Sequence, residues 1–153
     1  MIPKLLGLAV QAALIHVRAF SAPVDLGVIG IVEQAGKVVL VRHSYKPGWM
    51  LPGGAVRRGE PPAEAIIREM REEIGLSQSA APQLVGVFQR RMGFVSNLVC
   101  LFRVRDAVFA FKPGFEVRAV CLADPADLPD GTSPAARRRL NEMTGESAQS
   151  PYW

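Results

Sequence analysis

The sequence predicts an α/β domain, on three observations. β-Branched, apolar runs come in two groups, from Leu26 to His43 and from Leu84 to Leu122. Between them lies one segment with helical spacing, in which Ala63, Ile66, Ile67, Met70 and Ile74 recur at intervals of three and four. A second helix signal follows the last run, with Ser133 as cap and Pro134 in the first turn. The order is strands, helix, strands, helix. At 153 residues, 49% of them hydrophobic, the chain can bury a core as one domain and is not of disordered composition.

The elements follow in order. Residues 1–22 read as a leading helix, because Leu5, Leu8, Ala12 and Ile15 keep a helical period. The run also resembles a weak signal peptide, but Gln11, His16 and Arg18 interrupt it and it is too short to span a bilayer. A cytoplasmic location with no membrane partner is therefore expected. The domain proper is read over 23–145. Leu26–Glu33 and Lys37–His43 read as a hairpin joined by Gln34-Ala35-Gly36. The tract SYKPGWMLPGG is rich in turn residues. Pro61 and Pro62 set the start of the first helix, and Gly75 suits a left-handed stop after Ile74. Leu84–Arg91, Leu98–Val104 and Glu116–Leu122 read as further strands, and the last helix runs to about Met143. Residues 146–153 read as a tail.

The first helix carries the chemistry. Glu69, Glu72 and Glu73 are spaced i,i+3 and i,i+4 and fall on one arc beside the apolar face. Like charges so placed repel by a few tenths of a kcal/mol each. A hard divalent cation reverses that sign, since Mg²⁺ and Mn²⁺ take carboxylate oxygens. A solvated acidic face, with Glu64–Arg68 as an ordinary pair, is the plainer alternative. The three glutamates alone leave both open. Gly54 is followed after five residues by Glu60, and after seven more by Arg68-Glu69-Met70-Arg71-Glu72-Glu73-Ile74-Gly75-Leu76. All seven fixed positions of a known family signature are matched here, a coincidence expected by chance about once in a billion windows at roughly one in twenty per position.

This stretch resembles the Nudix box, the loop–helix–loop signature of hydrolases that cut nucleoside diphosphates linked to another group. The preceding WMLPGG strengthens the resemblance. It implies an α/β/α sandwich with a mixed sheet between helices. It implies metal ligation by Glu69, Glu72 and Glu73 and by the carbonyl of Gly54. Glu60 and Arg68 would be a structural ion pair that positions the helix, with Gly75 closing it. Glu116 matches, loosely, a further glutamate that serves as ligand or base in several members. Glu69 and Glu116 are the base candidates, in that order. The cofactor expected is Mg²⁺ or Mn²⁺, and activity should rise toward alkaline pH.

Arg57, Arg58, Arg90 and Arg91 are candidate phosphate contacts, because guanidinium matches phosphate oxygens in pairs. Arg90 and Arg91 alternate along a strand, so only one can face a cleft. Trp49, Phe88 and Phe94 are candidate stacking residues. The partner expected is a small phosphorylated molecule, with no nucleic acid. The formal net charge of +4 would attract such a molecule, and serves equally as solubility charge. A homodimer is compatible with the apolar N-terminal segment. An RNA 5′-end pyrophosphohydrolase would need an extended basic channel, and the arginines are scattered. A non-catalytic nucleotide sensor would not need every box glutamate, and all are kept. Cys100 and Cys121 sit in apolar runs and read as buried free thiols. His16 and His43 show no partner in sequence and receive no role.

Overall fold

The computed structural model describes residues 24–92 and 95–153. The predicted N-terminal helix, His16 and Phe94 lie outside the described residues, as does the side chain of Arg91.

A mixed sheet forms the centre. Its strands are β1 (Val24–Gln34), β2 (Lys37–His43), β3 (Gly53–Ala55), β5 (Gln83–Met92), β6 (Val95–Val104) and β8 (Val117–Ala123). The spatial order is β5-β6-β1-β2-β8, with β3 paired to β1. β1 and β6 run parallel, while the other pairs are antiparallel. Two short strands, β4 (Leu76–Gln78) and β7 (Val108–Phe109), pair separately. The β1–β2 hairpin turns on Ala35 and Gly36, both at positive φ, which matches the twist of the flanking strands.

Alternation along the strands divides the core into two layers. Val28 and Val32 of β1, Val39 and Val41 of β2, and Cys100, Phe102 and Val104 of β6 meet one helix. That helix is α1 (Pro62–Ile74), whose Ala65, Ile66, Met70 and Ile74 are fully buried. Ile31, Val38, Leu40 and Leu101 face the opposite side and meet Ala136 and Leu140 of α2 (Pro134–Thr144). Each large side chain buried this way contributes about 1.5–3 kcal/mol. The helix–sheet–helix arrangement is the α/β sandwich expected.

Several details differ from the sequence reading. Ala63 is exposed and Ala65 is buried, so the apolar face of α1 is rotated slightly from the predicted one. Glu116 precedes β8 instead of opening it. Cys100 is buried but Cys121 is half-buried, and neither forms a disulfide. The last residues pack on the domain: Trp153 N donates to the Gln89 carbonyl and Gln89 N to that of Pro151. The anchor is Arg139, 1% exposed. It pairs with Glu142, donates to the carbonyls of Ser150 and Tyr152, and lies 4.1 Å from the centre of the Phe88 ring. Among the described residues no helix is long and apolar enough to cross a membrane.

Candidate active site

The site is built where α1 faces β3. Pro61 precedes the helix with extended backbone, and the helix ends on Gly75 at φ 71°, whose N–H donates to the Arg71 carbonyl. These stops fix the phase of the helix and so the direction of its glutamates. Gly54 lies against the carboxylate of Glu69. A β-carbon added there would fall 2.5 Å from the carboxylate carbon, so any side chain would displace it.

The glutamates have different surroundings. Glu73 is buried and accepts a 2.8 Å hydrogen bond from Gly53 N, and its other oxygen lies 3.6 Å from His43 Nε2. Burial pushes its pKa up to about 8, aided by Glu69, Glu116 and Glu72 and opposed by the Gly53 amide. Burial also holds the His43 imidazole below its usual range. Both groups are thus held toward their neutral forms. Glu69 is half-buried and accepts from Arg68 Nη1 at 2.6 Å. Glu72 is exposed, between Arg68 and Arg57.

Arg68 organises this side. Its Nε and Nη2 donate to the two oxygens of Glu60 at 2.7 and 2.9 Å, and Nη2 also meets the Ala55 carbonyl. Glu60 further accepts from Arg57 N. Hydrogen bonding to the Arg68 guanidinium holds the Glu60 carboxyl down at about 2. Arg68 pairs with Glu60, Glu69 and Glu72 rather than with Glu64. Glu116 reaches the site from the other side, with the Tyr45 hydroxyl 3.2 Å from its Oε1. His43, Glu73 and Glu116 each offer a ligand atom within 4.8 Å of the others.

A cavity of about 770 Å³ opens beside these groups. Gly53, Gly54, His43 and Tyr45 line it, and Asp25, Arg90, Asn97 and Trp153 are among its other lining residues. A smaller recess of about 240 Å³ is lined by Glu72, Glu73, Lys112 and Glu116. Of the predicted phosphate contacts, Arg90 lines the large cavity, Arg57 is turned to Glu72, and Arg58 is exposed. Trp49 packs in the α2 layer of the core under Arg42, and Phe88 is buried there. Sequence reasoning missed His43, Tyr45, Asp25 and Asn97. His43 had one usable signal, a histidine on the inward phase of a strand.

Comparison with known proteins identifies the family. The NUDIX domain model matches residues 22–142. The chain belongs to the Nudix family. Within it, a Bacillus subtilis protein named "Putative 8-oxo-dGTP diphosphatase" is 30% identical over 113 residues, covering 74% of each chain. An RNA pyrophosphohydrolase of Hydrogenovibrio crunogenus is 40% identical over 55 residues, 36% of this chain and 33% of that one. An ADP-ribose pyrophosphatase of Methanocaldococcus jannaschii is 38% identical over 66 residues, 41% and 38% of the two. Among solved structures, a MutT Nudix hydrolase from Burkholderia pseudomallei superposes with a TM-score of 0.69 at 21% identity, covering 78% of this chain and 98% of that one. Membership in the Nudix family makes this chain a pyrophosphohydrolase by class, and enzymes of the family generally use a divalent metal.

Proposed function

We propose that the protein hydrolyses a diphosphate linkage in a nucleoside diphosphate joined to another moiety, with Mg²⁺ or Mn²⁺ as cofactor. One observation carries this reading: Glu72, Glu73 and Glu116 line one recess, Glu69 lies against Gly54, and the groups these carboxylates touch, Gly53, Gly54, His43 and Tyr45, line a neighbouring cavity of nucleotide size. A volume of about 770 Å³ lies within the ~300–1,000 Å³ range of small-molecule sites.

The residues fit a hard divalent cation. The donors are carboxylate oxygens, the Gly54 position is kept clear of a side chain, and among the described residues the buried Glu73 carboxyl has no cationic partner at hydrogen-bond distance. Glu69, Glu72 and Glu73, with the Gly54 carbonyl, would hold it. When bound, such an ion offsets phosphate charge and makes water a better nucleophile. The chain's own groups do the rest. Arg68 and Glu60 lock the helix, and the cavity orients the nucleotide. For proton acceptance Glu116 is freer than Glu69, since its partner is the Tyr45 hydroxyl whereas Arg68 holds Glu69. The reading includes a cytoplasmic location, supported by two unpaired cysteines.

Hydrolysis in ¹⁸O-labelled water tests the reaction. Label in a phosphate-bearing product is expected, as attack is on phosphorus. Label confined to a non-phosphorus product would overturn it. Including 5′-triphosphorylated RNA covers the RNA-end reading, which a partial match to such an enzyme supports.

A further inference from the structure

The lining of the large cavity is of two chemical kinds. One comprises His43, Gly53 and Gly54, beside the carboxylates. Other lining residues form a polar row across three strands. β1 pairs with β6 so that Asp25 lies beside Asn97, and β5 pairs with β6 so that Arg90 lies beside Asn97. Residues paired in this way share one face of a sheet, and all three line the cavity.

We propose that the Asp25–Asn97–Arg90 row reads the hydrogen-bonding edge of a guanine-type base. The inference rests on the nucleotide-hydrolase reading above and narrows its substrate. Asn97 is only 6% exposed, and its Nδ2 donates to Asp25 Oδ2 at 2.7 Å. A carboxylate can only accept, so this bond fixes which way the amide points and leaves Asn97 Oδ1 as an acceptor. Asp25 keeps further lone pairs. Arg90 offers donors alone, and no carboxylate among the described residues pairs with it. The row thus presents acceptor, acceptor, donor. Guanine presents donor, donor, acceptor through its amino group, N1–H and O6. Adenine, cytosine and uracil each lack two adjacent donors. Hypoxanthine keeps N1–H and O6 but has no amino group. Trp153 lines the same cavity, and an indole can stack on a base.

Binding of nucleoside monophosphates, by calorimetry without turnover, tests this. GMP is expected to bind at least about tenfold tighter than IMP or AMP, the loss that follows when a charged acceptor is left unpaired. Asp25→Asn should bring GMP down to the level of IMP while IMP changes by less than about twofold. Arg90→Gln should weaken GMP and IMP, which share O6, and spare AMP. Equal binding of all three, binding of none, or an equal loss of GMP and IMP in Asp25→Asn would overturn the inference. Hydrolysis without base preference would sink this inference and leave the hydrolase reading. Guanine-selective binding with no hydrolysis of any nucleotide would do the reverse.

Discussion

A carboxyl enclosed between the Gly53 amide and the His43 imidazole ionises late, and stability should record it. In the unfolded chain Glu73 loses its proton near its ordinary value of 4.5, but in the fold only near 8. Between these values the folded state holds more protons, so stability falls as pH rises, by at most about 1.4 kcal/mol per pH unit. The metal-free melting temperature should therefore drop between pH 5 and 8. Saturating Mn²⁺ should flatten that slope, and Glu73→Gln should abolish it. Glu60 acts with the opposite sign. Its carboxyl is held at about 2, so its contribution is present above 4.5 and lost as pH falls toward 2. Gly54→Ala should keep the fold but weaken cation binding, measured by titration calorimetry, by about ten- to a hundredfold, because the new methyl displaces Glu69. These glutamates were legible in the sequence because one helix and one glycine loop fix them locally. His43, Asp25 and Asn97 were not, because they enter the site through strand register, with partners 30 to 72 residues away.

At the scale of elements, helix limits were readable from proline and glycine, and α1 begins and ends where those residues require. Its rotation was less readable: Ala63 and Ala65 are equally apolar, and packing against β1 chose between them. β3, β4 and β7 span two or three residues, too few to show any period. The closing segment gave no signal either, since a polar, glycine- and serine-containing stretch shows no strand pattern. Its docking depends on Arg139, which sits in a helix like any surface arginine yet is buried against Phe88 and Trp153. Arg139→Ala should cost about 3 kcal/mol in urea unfolding, because it leaves Glu142 without its partner in a closed space. The Trp153 ring should lose its packing, read as a red shift in tryptophan emission. A change below about 1 kcal/mol would mean the segment is not anchored there.

For the molecule as a whole, strand–helix order was enough to predict the layers, because each face of the sheet must be covered. The parallel pairing of β1 with β6 was not, since register between distant strands leaves no local mark. That pairing brings Asp25 and Asn97 together, so the base selectivity proposed for them would rest on the fold and not on the box. Catalysis should rise toward alkaline pH, as the Glu73 carboxyl, pushed up to about 8 by burial, loses its proton and binds cation more tightly. A profile that falls over pH 7–9 at saturating cation would count against this. Cation-dependent hydrolysis on the box glutamates would be read from phosphate or pyrophosphate release across a nucleotide panel. A coupled phosphatase would be included, and Mg²⁺, Mn²⁺ and chelator compared, with Glu69→Gln beside the unaltered protein. Turnover that requires the cation and falls at least about a hundredfold in a folded Glu69→Gln is the predicted result. Turnover in chelator, or turnover unchanged by the substitution, would contradict the account.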